Sequence, residues 1–227
     1  IDIRGQFRYA NRYPPAIGGA EKYISDLSDE LVRRGHQVDI FTTRALDDYS
    51  WKNELPPFEQ RNGVNVYRFS TLRRRQWVWW ILKFGLRRYW PARSRRYEPF
   101  LFFGGGPMAP GMLRAILARG RDYDLIHLNC LIYSHVTYGY WAARRLGVPV
   151  VVTPHAHAGQ EITYDVGYQR AVLFGCDHVI ADTSAERDLL LAFASLAAIY
   201  AAARQRGAGI AGACVACLGT AAGLRPI

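Results

Sequence analysis

Two adjacent glycines, Gly18 and Gly19, stand at the mouth of a stretch whose apolar residues Ile24, Leu27, Leu31 and Val32 recur at helical spacing. Lacking side chains, they leave the first N–H groups of that helix open, and the positive helix end favours an anion such as phosphate. A plain loop-to-helix turn would carry the same two residues. Glu21 follows in the first turn, the favourable end of the macrodipole for an acid. A second set of polar residues, Thr42, Thr43, Asn129, Thr153, His155, Asp182 and Thr183, falls at the ends of short apolar runs. In a parallel sheet those are the carboxyl ends of strands, where ligands bind.

The elements that must position these groups alternate in type. Apolar runs at Val38–Thr42, Val64–Phe69, Leu125–Leu128, Val148–Thr153 and His178–Ala181 are separated by amphipathic stretches. That order predicts an α/β fold, a doubly wound parallel sheet of Rossmann-like type, with helices on both faces. Gly35 ends the first helix as a left-handed stop, and Gly147 ends a second helix from about Tyr133 to Leu146. Thr183 or Ser184 offers an N-cap to a later helix through Leu190, with Glu186 near the capping-box position. His36 reads as a loop-holding residue, and His127 and His178 as core or edge residues.

Metal and triad chemistry find no footing. The six histidines are not at zinc spacing, no Asp-x-Asp motif is present, and Ser184 has a cap's position without elbow glycines. No bound metal and no cofactor are expected. Cys214 and Cys217 have redox spacing, but no second pair and no nearby histidine accompany them. Four irregularly spaced cysteines fit a reducing compartment.

The formal charge of +10 is a patch, since nine basic residues lie between Arg73 and Arg96 without one acid. There Arg73, Arg74 and Arg75, then Trp77, Trp79, Trp80 and Lys83, then Arg87 and Arg88 place basic clusters around an aromatic and aliphatic middle. Such a segment suits an anionic membrane surface and is too short to span it. A helix packed on the domain is the alternative. Single-stranded nucleic acid would also fit basic and aromatic interleaving, but an insertion in an enzyme-like α/β pattern argues against it. Gly104–Pro110 reads as a flexible joint after the insertion. Beyond Asp188 there is no Asp, Glu or Lys, and Ala and Gly dominate.

The run Tyr13-Pro-Pro-Ala-Ile-Gly-Gly-Ala-Glu21, continued through Leu31-Val-Arg-Arg-Gly-His-Gln-Val-Asp-Ile-Phe-Thr-Thr43, resembles the amino-terminal domain of glycosyltransferase family four. Asp124–Asn129, Val150–His155 and Val179–Glu186 resemble that family's later strands, in the same order. The resemblance covers roughly Tyr13 to Leu190 and implies one half-domain of a GT-B fold. It divides the chain into an acceptor-side domain over 1–190, with the basic aromatic insertion at about 71–110, and an Ala/Gly-rich tail over 191–227 that is not a domain.

What the resemblance implies about chemistry is retaining transfer of a sugar from a nucleotide-diphosphate sugar, a co-substrate, to a glycan or lipid-linked acceptor. Gly18 and Gly19 would line the cleft near the donor diphosphate and the transferred sugar; Glu21, Asn129, Thr153 and Thr183, by their places at the helix start and the strand ends, join them as expected donor or substrate contacts. His155 would reach the sugar or its acceptor as the catalytic candidate, a hydrogen-bonded structural histidine being the other reading. The family's nucleotide-binding residues, a basic residue and paired glutamates, belong to a second domain that these 227 residues do not contain. The chain, opening at Ile1, is therefore expected to be a fragment inactive alone. A non-catalytic peripheral-membrane or partner-binding module on the same scaffold is the alternative. The expected compartment is the cytoplasm, with a peripheral position at the inner face of the membrane as its extension.

Overall fold

The computed structural model describes residues 6–9, 12–47, 50–72, 76–92, 94–157, 164 and 166–192. The chain divides into two units, one of residues 1–156 and 160–180, the other of 157–159 and 181–227. The tail cysteines Cys214 and Cys217, and the first basic cluster Arg73–Arg75, lie outside the described residues.

The first unit is built on a seven-stranded sheet. In chain order the strands are β1 Gln6–Tyr9, β2 Val38–Thr43, β3 Phe58–Arg61, β4 Val64–Phe69, β5 Leu125–Asn129, β6 Val150–Thr153 and β7 His178–Val179. Their spatial order is β3-β4-β2-β1-β5-β6-β7. All neighbours pair in parallel except β3, which runs antiparallel to β4. The order reverses between β1 and β5, and it is at such a switch point, beyond the carboxyl ends of the strands, that doubly wound sheets bind their ligands.

Helices follow the strands: α1 Gly19–Arg33, α2 Gln76–Ala92, α3 Glu98–Gly104, α4 Pro110–Arg119, α5 Ser134–Leu146 and α6 Gly167–Gly175. Alternation along β2 shows why both faces need cover. Val38 and Ile40 meet Ile24 of α1, with Val64, Val66 and Tyr13 in the same cluster. Phe41, pointing the other way, packs against Tyr67, Phe69 and Tyr123. On that second face Arg119 of α4 lies over the Tyr67 ring at 4.8 Å and reaches the buried Asp39 carboxylate at 3.2 Å. Tyr123 and Asn65 donate to the same carboxylate at 2.6 and 2.9 Å, so the buried charge is fully clothed.

Helix ends follow the glycine rules. Gly35 has φ +87° and Gly147 φ +72°, and the His36 N–H returns to the Leu31 carbonyl at 3.0 Å, closing the last turn of α1. The edge strand β3 was not anticipated, although the signal was present: Asn62-Gly63, with φ of +50° and +82°, is the hairpin turn joining it to β4.

The insertion is a helical hairpin. At Gly85 a Cβ would lie 2.6 Å from that of Phe100, and at Gly104 one would lie 2.6 Å from that of Leu82, so α2 and α3 run antiparallel in close contact. Gly104, Gly106, Pro107 and Ala109 are buried, so Gly104–Pro110 is a packed connection and not a loose joint. Its glycines serve close approach, which composition does not distinguish from flexibility.

In the second unit a helical stretch over 184–192 begins as anticipated. The Thr183 hydroxyl accepts the Glu186 N–H at 3.1 Å, and the Glu186 carboxylate accepts the Asp182 N–H at 2.8 Å.

Candidate functional site

The carboxyl ends of β1, β5 and β6 gather most of the residues singled out. Gly18 caps α1 with an extended backbone, φ 173°, and receives no side-chain cap; its carbonyl accepts the Lys22 N–H at 3.0 Å. The N–H groups of the first turn have no helical acceptor, so the positive end of a 15-residue helix opens at Gly19. Gly19 is exposed and a Cβ there would meet nothing within 4 Å. Gly18 differs: a Cβ would fall 1.9 Å from Glu21 Oε2. Glu21 therefore folds back over the preceding glycine, where it pairs with Arg12 at 2.9 Å and is 7% exposed.

The floor below this loop is Arg68. Val64, Val66 and Arg68 share one face of β4, so strand alternation turns a guanidinium toward the core, where its side chain is fully buried. Nη2 donates to the Pro14 carbonyl at 2.8 Å and to Glu59 at 2.7 Å. Tyr13 is wholly buried beside it, and burial raises its phenol pKa. A charged residue continuing an inward apolar alternation was a legible signal, and Arg68 was missed.

Asn129 and Thr153 end β5 and β6 in register with one another, and both are fully buried. The Thr153 hydroxyl lies 2.7 Å from His127 Nε2, and its carbonyl accepts the Cys130 N–H at 3.1 Å. His135, in the first turn of α5, places Nε2 3.2 Å from the Asn129 carbonyl. Burial pushes its pKa down to about 3, outweighing that hydrogen bond, so the imidazole is neutral. Cys130, between them, has φ +67°.

His155 follows β6, half-buried, with φ +53°. Its ring meets Tyr23 of α1 edge-on, centroids 5.3 Å apart at 81°, and its carbonyl accepts the Tyr164 hydroxyl at 3.0 Å. The glycine loop's helix and the loop after β6 are thereby brought together across the sheet. Thr183 lies in the second unit, its hydroxyl engaged in the cap already described. Tyr23 and Tyr164 carried no sequence signal beyond being aromatic.

Of the basic aromatic residues, Trp80 is 63% and Phe84 46% exposed, and Lys83, Arg87 and Arg88 are exposed on the same helix. Lys83 sits 5.6 Å from the Trp80 ring and Arg88 5.7 Å from that of Phe84. Trp77 and Trp79 lie in the first turn of α2. Tyr89, by contrast, is buried in a cluster with Leu101 and Val166. The segment is thus a packed helix and also keeps an exposed aromatic and basic face. No described helix is long and apolar enough to cross a membrane.

Residues 18–199 match the family described as "Glycosyl transferase 4-like domain". Over 203 residues the chain is 28% identical to a D-inositol 3-phosphate glycosyltransferase of Catenulispora acidiphila, covering 83% of this chain and 39% of that protein. Over 71 residues it is 37% identical to an uncharacterised glycosyltransferase of Methanocaldococcus jannaschii, 31% of this chain and 16% of that one. Among solved structures, an α,α-trehalose 6-phosphate synthase from Burkholderia multivorans superposes with a TM-score of 0.49 at 15% identity, over 84% of this chain and 42% of that one. The chain thus spans less than half the length of these relatives. With the match extending from Gly18 through β2 to β7 and beyond, over most of its length, the chain belongs to the glycosyl transferase 4-like family.

Proposed function

We propose that this chain is the amino-terminal, acceptor-side half of a retaining glycosyltransferase that moves a sugar from a nucleotide-diphosphate donor to a glycan or lipid-linked acceptor. The observation that carries the reading is the meeting of α1 and the loop after β6, with His155 held against Tyr23 on the helix that opens at Gly18-Gly19. As the bond from the anomeric carbon to the diphosphate breaks, negative charge grows on the leaving group and positive charge on the sugar ring. Fixed N–H dipoles at a helix end stabilise the first without having to reorganise. In this reading His155 hydrogen-bonds a sugar hydroxyl, and the open space at Gly19 supports a donor lying where any side chain would intrude.

A second domain supplies the nucleotide-holding wall in this proposal, so the chain alone is inactive. The exposed Trp80, Phe84, Lys83, Arg87 and Arg88 face of α2 docks the domain on anionic lipid, beside a lipid-linked acceptor. The test joins residues 1–192 to the carboxyl-terminal half of the Catenulispora relative. Transfer from UDP-, GDP- and ADP-sugars to lipid extracts is followed, and the anomeric configuration of the product is read by NMR. Transfer with retained configuration, lost in Gly19→Val, is expected. An inverted product, or full activity in Gly19→Val, would overturn the mechanism or the loop's role respectively.

A further inference from the structure

His155 keeps a left-handed backbone, φ +53°, that residues bearing a side chain seldom adopt. Such a conformation persists only where the surroundings hold it, and those holding contacts are on both sides of the residue. On the backbone side the Tyr164 hydroxyl donates to the His155 carbonyl at 3.0 Å. On the ring side Tyr23 presents its phenol edge-on to the imidazole, at 5.3 Å and 81°. Tyr23 stands on an anchored element, and Tyr164 is itself buried. Tyr23 projects from α1 and packs on the cluster formed with β2 and β4. Tyr164 is 3% exposed, and two residues later Val166 packs with Tyr89 of α2 and Leu101 of α3.

We propose that Tyr23 and Tyr164 are positioning residues, which together hold His155 in its left-handed conformation with the imidazole turned beside α1. If the carbonyl were released, the residue would relax toward the extended region common to side-chain-bearing residues, and the imidazole would swing away from the helix. That this orientation governs how His155 meets a sugar rests on the function proposed above. The clamp itself does not.

The test is NMR on the 227-residue chain labelled at histidine, with His155 assigned through His155→Gln. Tyr164→Phe removes one hydroxyl and Tyr23→Leu removes the ring contact. Both should shift the His155 imidazole resonances. Tyr164→Phe should also move the His155 amide-to-Hα coupling toward an extended value and abolish the NOE between the Tyr23 and His155 rings. His127 of β5 and His135 of α5, both buried, should keep their resonances and so report an intact fold. A folded Tyr164→Phe protein with an unmoved His155 signal, coupling and NOE would overturn the clamp. Should Tyr164→Phe not fold, Tyr23→Leu decides alone, an unmoved imidazole signal counting against the proposal. Transfer that survives His155→Gln in the joined enzyme would remove the sugar role of His155 while leaving the clamp to stand on its NMR result.

Discussion

The Arg68 guanidinium, on the penultimate residue of β4, donates at 2.8 Å to the Pro14 carbonyl, four residues before Gly18. A strand end thereby supports the loop that carries the candidate anion site. The arrangement is tight but incompletely satisfied, since Nε and Nη1 of Arg68 have no hydrogen-bond partner among the described residues. Much of what Arg68 contributes should therefore be position and not net stability, because desolvating a guanidinium offsets the bonds it makes.

Arg68→Met keeps most of the volume and removes the donors. Stability should fall by only about 1–2 kcal/mol, the value of a lost buried hydrogen bond. Amide exchange across Tyr13–Gly18 should nevertheless quicken clearly. Urea unfolding and hydrogen exchange measure the two effects separately. Unchanged exchange in that segment would mean that Tyr13 alone anchors the loop.

The two glycines should behave oppositely. Gly18→Ala drives a Cβ toward Glu21 Oε2, so the carboxylate must leave its 2.9 Å pair with Arg12. A cost of about 1–2 kcal/mol is expected for disturbing a mostly buried pair. Truncating the carboxylate as well, in Gly18→Ala with Glu21→Ala, should give a coupling of at least about 0.5 kcal/mol. Gly19→Ala meets open space in a helical first turn and should be neutral or stabilise by about 0.5 kcal/mol. Denaturation midpoints of these three variants, of Glu21→Ala alone and of the wild type decide this, and equal costs at the two glycines would contradict the geometry.

How far the sequence disclosed these features depends on the range of the interaction. The sheet strands β2, β4 and β5, the stops at Gly35 and Gly147 and the Thr183–Glu186 cap were legible because each rests on local periodicity or a local φ requirement. The places of Gly18 and Gly19 at a helix mouth and of His155 just after a strand were legible by motif. What no local pattern discloses depends on contacts between distant segments: the partner of Arg68 at Pro14, Tyr23 against His155, and the burial of His135. The Gly104–Pro110 connection misled for the same reason, since a glycine packed against Leu82 and a glycine in a loose loop look alike in one dimension.

His135 makes stability depend on pH. Its folded pKa is lowered from 6.5 to about 3, so between those values the unfolded chain binds a proton that the folded chain excludes. Stability is then fully present above about pH 6.5 and declines as the pH falls toward 3. At pH 5 the loss from this group should be about 2 kcal/mol, from the pH interval multiplied by 1.36 kcal/mol per unit. His135→Gln keeps a donor near the Asn129 carbonyl and does not titrate, so its urea stability should vary less between pH 7 and 5. An equally steep decline in that variant would assign the effect to other groups.

The exposed face of α2 gives the last prediction. Lys83, Arg87 and Arg88 each contribute about 1 kcal/mol on an anionic surface, so Lys83→Gln, Arg87→Gln and Arg88→Gln together should weaken vesicle binding about a hundredfold. Trp80→Ala with Phe84→Ala removes the rings that would enter the headgroup layer, and should weaken binding at any salt concentration. The charge variant should instead lose the salt sensitivity of the wild type, because screening acts on the charges alone. Flotation with phosphatidylglycerol vesicles, against neutral phosphatidylcholine vesicles, measures both arms. Because Tyr89 anchors α2 through Leu101 and Val166, both variants should remain folded, and a lost far-UV signal would disqualify them as tests of docking. If folded variants float like the wild type, α2 is not the docking face, and the aromatic rings beneath Lys83 and Arg88 serve the hairpin only.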